Sequence, residues 1–258
     1  MDLKIAENHF LICGASSGFG RAVAERLLHE GAHIIAVARR EEKLDELKSS
    51  HPDKVEKVVG DLSDQLTLTE IESLISGQQI HGVLINAGGP PALSAMETTL
   101  DQWDEAYQSV LRWKVDLTKR LIPHFKKEQY GRILFVESQS IKQPIPSLVL
   151  SNAFRAAVAG FAKTLALEIA ETGITVNIIA PGSHETPAID RVIKKRAEDS
   201  GKSFDEVKAE LEKSIPVGRM GTGEEFASLA AWLVSPHSGY VTGQTISHDG
   251  GNIQGLFG

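Results

Sequence analysis

At 258 residues, with 41% hydrophobic and 24% charged residues, the chain has the size and composition of one large α/β domain. A formal charge of −7 offers no electrostatic footprint for nucleic acid or an anionic membrane, and no apolar run is long enough to span a bilayer. A single cysteine excludes an internal disulfide, and the N-terminus carries no signal-peptide core, so a reducing cytoplasm is the expected compartment.

The first predicted element is a buried strand at Phe10-Leu11-Ile12-Cys13. It feeds Gly14-Ala15-Ser16-Ser17-Gly18-Phe19-Gly20, after which Ala22, Val23, Leu27 and Leu28 recur at helical spacing until Gly31. A strand, a glycine turn and a helix N-terminus form a phosphate cradle. The glycines let backbone approach a ligand, while unpaired N–H groups and the helix dipole favour an anion. A second strand, Ile34–Val37, follows in the order such a cradle requires. Arg39-Arg40 lies just past it, with no acid at its end, and opens a helix over Glu41–Ser49. The third strand is Val55–Val59, with Gly60-Asp61-Leu62 at its C-terminal end. A helix around Asp64–Ser76 precedes the strand Val83–Ile85, which Asn86-Ala87-Gly88-Gly89 closes.

One long helix is predicted from about Leu100 to Glu128, with a bend at Pro123. The strand Gly131–Val136 then ends at Glu137-Ser138. The next helix holds Ala153, Ala157, Val158, Phe161, Ala162 and Leu165, and Ala156, Ala159 and Gly160 widen its small-residue surface. Ile174–Ile179 delivers Ala180-Pro181-Gly182. Positions 190–213 hold fourteen charged residues in 24, with Val192, Ile193, Phe204, Val207 and Leu211 as apolar points. Ser203 and Glu206 have capping-box spacing, and Ser200-Gly201 separates two helices, so 187–216 reads as a helical insertion. A last helix around Glu224–Val234 leads through Tyr240–Ile246 to a final strand.

The glycine spacing G-x-x-x-G-x-G, with Asn86-Ala87-Gly88, Ser138, Pro181-Gly182, Thr186 and Asp249-Gly250-Gly251, resembles the short-chain dehydrogenase/reductase family over nearly the whole chain. The resemblance is greatest to its β-ketoacyl-carrier-protein reductase-like members. It implies a single Rossmann-type domain, a doubly wound parallel sheet of about seven strands with helices on both faces. It also implies cofactor contacts from Gly14, Ser16, Ser17, Gly18, Phe19, Gly20, Ala87, Gly88, Pro181, Gly182, His184 and Thr186, and an adenine pocket lined by Asp61 and Leu62. Asn86 is mainly architectural in this scheme. Asp61 equally fits a turn role, and the two arginines equally fit solvated surface charge. Where an NAD-dependent member carries an acid for the ribose 2′-hydroxyl, this chain has Ala38 followed by Arg39. Guanidinium suits a 2′-phosphate, which favours NADP(H) over NAD(H). The 187–216 insertion takes the place of a substrate lid, and the two long helices that of a homotetramer or homodimer interface. No metal site is implied.

Carbonyl-reducing members use an Asn–Ser–Tyr–Lys tetrad. Ser138 keeps its place; Val110, Ser151 and Arg155 stand where Asn, Tyr and Lys are expected. A serine hydroxyl is a far weaker acid than a tuned phenol, and arginine cannot relay a proton by losing its own. Arg155, one helical turn from Ser151, can still hold positive charge by the ribose. His184, Tyr107, Glu137 and Lys142 are candidate replacement proton carriers, each with an ordinary packing or surface role as the alternative. The sequence thus supports two readings. One is an NADP(H)-dependent oxidoreductase of a small carbonyl or alcohol with catalytic Ser138, Ser151 and Arg155. The other is a nucleotide-binding relative with little turnover, working as a sensor or partner subunit.

Overall fold

The computed structural model describes residues 1–256. Seven parallel strands form one sheet in these residues: β1 (His9–Cys13), β2 (His33–Ala38), β3 (Val55–Val59), β4 (Gly82–Ile85), β5 (Gly131–Val136), β6 (Ile174–Pro181) and β7 (Thr245–His248). Their order is β3-β2-β1-β4-β5-β6-β7, so the direction of winding reverses between β1 and β4. The strands are continuous apolar runs because helices cover both faces of a parallel sheet; β4, β5 and β6 are buried at every residue.

Against one face pack α1 (Gly18–His29) and α9 (Gly223–Leu233), in a core that includes Val23, Leu27, Ile34, Phe226 and Ala230. Against the other lie α3 (Gln65–Ser76), α5 (Trp113–Glu128) and α6 (Val149–Glu168), around Leu68, Leu117, Leu121, Phe135 and Val158. α2 (Glu41–Ser50) flanks β3. Pairing registers tie the sheet centre, Leu11 opposite Val83 and Leu84 opposite Leu134.

The long helix expected over Leu100–Glu128 is continuous in span but not in kind. α4 (Leu100–Ala106) passes into a π-helical turn, Tyr107–Arg112, before α5 resumes. The wider turn carries Val110, which is buried. The inward positions Ala106, Val110, Trp113 and Leu117 keep helical spacing across it, so periodicity cannot disclose the change.

The insertion forms α7 (Pro187–Ser200) and α8 (Phe204–Ser214), separated at Gly201 with φ +70°. The Ser203–Glu206 capping box is made in both directions. Ile193, Val207, Ile215 and Met220 give this pair a small core of its own, separate from the two beneath the sheet. Val192, expected among the apolar points, is largely exposed instead.

Candidate active site

All seven strands run the same way, so the ends of β1, β2, β3, β4, β5 and β6 deliver their following residues to one edge, across the β1/β4 reversal. That is where an open parallel sheet holds a ligand. The turn after β1 is built from glycines that nothing else can replace. Gly14 has φ +71° and Gly18 φ +55°. A Cβ added at Gly20 would lie 2.2 Å from the Gly14 carbonyl oxygen. The α1 N-cap, Ser17, makes no side-chain cap bond, which leaves first-turn N–H groups for an anion or water. Gly18 faces Thr186 across the edge: its added Cβ would sit 3.8 Å from the threonine Cγ2. Beside Gly88 nothing lies within 4 Å of such an atom. These residues fit a dinucleotide, with the cradle at α1 and open space beyond β4.

Of the two arginines after β2, Arg40 reaches the cradle. Its Nη2 donates to Ser16 Oγ at 2.9 Å and to Ser17 Oγ at 2.6 Å. Arg39 turns the other way, to an exposed pair with Asp61 at 3.5 Å. The sequence named both arginines and gave the cofactor contact to Arg39; side-chain direction at the end of β2 puts Arg40, not Arg39, on the glycine turn. Asp61 also accepts from the Ser63 amide and hydroxyl, and the Ser63 hydroxyl is the main cause that holds its carboxyl below the usual range. Leu62 is buried in the core. Asn86 donates to the Cys13 carbonyl at 3.4 Å, bridging β4 to β1.

His184 is buried within an aromatic group. Phe19 meets it edge-on at 5.0 Å, and His248 stacks on it at 5.0 Å. Its Nδ1 lies 3.1 Å from the Gly182 carbonyl, an acceptor only, so Nδ1 carries the proton. Nε2 then accepts from His248 Nδ1 at 2.8 Å. Burial pushes the His184 pKa down, and both ring nitrogens are engaged. The ring therefore serves packing, tying the loop after β6 to β7, rather than offering a proton. Gly182 lies tight against this strap: its added Cβ would be 2.8 Å from Asp249 Cβ.

Ser138 caps a short turn, its Oγ accepting from the Ser140 amide at 3.1 Å. Ser151 and Arg155 are joined on α6, with Arg155 Nε donating to Ser151 Oγ at 3.0 Å. Neither serine Oγ donates in these bonds, so both hydroxyl protons are available to a substrate oxygen. Arg155 Nη1 donates to the carbonyl of Glu137 at 3.1 Å and to its carboxylate at 3.0 Å. The other carboxylate oxygen takes Lys114 Nζ at 2.5 Å. Lys114 escaped the sequence reading. Its only signal was a cation on the stripe Val110, Lys114, Leu117, Leu121, which is otherwise apolar. Of the three tyrosines, Tyr107 lies 6.3 Å from the Phe154 ring, Tyr130 beside His81 and Tyr240 in solvent.

Residues 14–252 match the family model described as enoyl-(acyl carrier protein) reductase, and the chain belongs to the short-chain dehydrogenase/reductase family. Among its relatives, 3-oxoacyl-[acyl-carrier-protein] reductase FabG of Haemophilus influenzae is 30% identical, over 93% of this chain and 96% of its own. NADPH-dependent reductase BacG of Bacillus subtilis is 29% identical, over 95% and 97%. Among solved structures, L-sorbose reductase from Gluconobacter frateurii, complexed with NADPH and L-sorbose, superposes with a TM-score of 0.93 at 28% identity, over 99% of this chain and 100% of that one.

Proposed function

We propose that the protein is an NADP(H)-dependent oxidoreductase of a small carbonyl or alcohol, working through an altered active site. The observation that carries the cofactor is Arg40, whose guanidinium lies on the two serines of the glycine turn while β2 ends in Ala38 without an acid. A 2′-phosphate placed there would meet a fork of N–H donors. The NADPH named for BacG and for the L-sorbose reductase complex supports the same cofactor. Bound NADPH would supply hydride. The chain's own part is to polarise the substrate oxygen with the free hydroxyl protons of Ser138 and Ser151 and the charge of Arg155. A serine is too weak an acid to surrender its proton outright at neutral pH, so the proton consumed comes from water.

The relatives' names do not agree on a substrate: one describes an enoyl group, one a 3-oxoacyl group, one a sugar. The substrate class therefore stays at carbonyl or alcohol. α7 and α8 serve as its lid. The solvent-facing row Ala153, Ala156, Ala157 and Gly160 of α6 suits close packing of a second copy, giving a homodimer or homotetramer. One observation favours the second reading, a nucleotide-binding protein with little turnover: Val110, 1% exposed, offers no polar group to a proton relay.

Fluorescence titration with NADPH and NADH tests the cofactor. NADPH should bind more tightly, and Arg40→Asp should move the preference towards NADH more than Arg39→Asp does. Equal affinities in the unaltered protein refute the assignment. NADPH oxidation over a panel of ketones, β-keto esters and keto sugars separates the enzyme from the silent binder.

A further inference from the structure

Glu137 and Lys114 take no direct part in that reading, yet both are buried, ionisable side chains. The Glu137 side chain is 0% exposed and its two oxygens face different cations, Lys114 on one side and Arg155 on the other. Lys114 is pushed towards its neutral form by burial, against the pull of Glu137. Two of the three Arg155 guanidinium nitrogens are occupied within the protein, Nε by Ser151 and Nη1 by Glu137. The third, Nη2, lies on the side of the turn after β4, 3.4 Å from where a Gly89 Cβ would be. A planar group held at two nitrogens has a fixed plane, so the direction of its third nitrogen is fixed as well.

The geometry points to Glu137 as the positioning residue of Arg155, with Lys114 holding the carboxylate in place, so that Nη2 is presented to the open space beyond β4. What Nη2 meets rests on the NADP(H) reading together with the place Arg155 takes in the family, beside the ribose next to the nicotinamide: the hydroxyl groups of that ribose. Lys114 and Arg155 share one carboxylate, which leaves Nη2 as the part of the cluster directed at a ligand.

A purely structural Glu137 would lower stability when lost and leave the folded protein's affinities alone. A positioning Glu137 would weaken only the half of the ligand that Arg155 touches. The variants are Glu137→Gln and the double Lys114→Met/Glu137→Gln. The double also removes the second buried cation, so its folding does not suffer from two charges left without an anion. Each is titrated with NADPH and with 2′,5′-ADP, which lacks the nicotinamide ribose. NADPH affinity should fall about tenfold, the weight of one charge-assisted hydrogen bond, while 2′,5′-ADP affinity stays unchanged. An unchanged NADPH affinity overturns the proposal, and so does an equal loss for both ligands. Should the unaltered protein bind neither, the cofactor reading fails and positioning is decided by hydrogen exchange at the Arg155 Nε–H, followed by ¹⁵N NMR. Slow exchange made fast by the Glu137 substitution supports the role; equal rates refute it.

Discussion

Replacing Gly20 by alanine adds one methyl group, and the structure sets its consequence. The new Cβ would lie 2.2 Å from the Gly14 oxygen, 2.6 Å from the Gly14 carbonyl carbon and 2.9 Å from the Cys13 oxygen. An ordinary contact is about 3.5–4 Å, so the two strands of the turn would have to part by more than an ångström. Gly14 has no free direction of retreat, since its own Cβ position already falls 2.7 Å from the Asn86 amide nitrogen. Every obstacle at Gly20 is backbone, which no rotamer change can move aside. Overpacking against fixed backbone lies at the upper end of the usual range, about 3 kcal/mol, or roughly 6–12 °C in Tm for a domain of this size. The displaced turn should also lose its affinity for NADPH. Gly77→Ala is the matched control: Gly77 has φ −93°, and its added Cβ would meet only the Leu74 oxygen, at 3.9 Å. There the same methyl should be neutral or stabilise by about 0.4–1 kcal/mol through the unfolded chain. Differential scanning fluorimetry with and without NADPH reads both effects. A Gly20→Ala protein with unaltered Tm and NADPH affinity would refute the reasoning.

Burial lowers the pKa of His9, His81, His124 and His184. His81 Nδ1 and His124 Nε2 accept backbone N–H bonds, which protonation would remove. Depressed folded values mean stability that is full above the unfolded value, about 6.5, and lost as pH falls through the folded ones, so the urea midpoint should drop from pH 7.5 to 5.5; a flat profile would count against these assignments. Light scattering at micromolar concentration should give the mass of a dimer or tetramer, and an arginine at Gly160 should reduce it; a monomer contradicts the α6 interface. Val110→Asn, Ser151→Tyr and Arg155→Lys together would rebuild the tetrad expected from the family resemblance. If the unaltered protein oxidises no NADPH over the panel and the triple variant does, the native oxidoreductase assignment falls.

The strands and the glycine turn were legible because each is local: an apolar run buried on both faces, then small residues where backbone must approach backbone. The reading of Ser151 and Arg155 as stand-ins for the usual Tyr and Lys rests on the ungapped stretch around them, and the triple variant above is its test. What stayed hidden depends on distant parts of the chain. His184 reads as a candidate proton carrier or a packing residue until His248, 64 positions later, is seen donating to its Nε2 at 2.8 Å. Lys114 has no visible role in the sequence, because its partner Glu137 arrives from the end of β5, 23 positions later. Sequence position favours Arg39 over Arg40, and only side-chain direction past β2 places Arg40 on the glycine turn instead.

The strap from the loop after β6 to β7 also bears on the order in which the protein matures. Gly182 donates its amide to the His248 carbonyl at 3.0 Å, His184 bonds the His248 ring, and Gln139 takes the Asn252 amide at 2.9 Å. β7 pairs with β6 alone, at the sheet's edge, so six strands can assemble before it exists. Synthesis runs from the N-terminus, and the residues that fasten this loop, His248 and Asn252, follow all six of those strands in the chain. A nascent chain can therefore hold a finished glycine turn while the opposite wall of the site is still unfastened. Arrival of β7 is then the event that closes the site, and a chain cut before Thr245 should keep the other six strands while losing the wall that faces the turn.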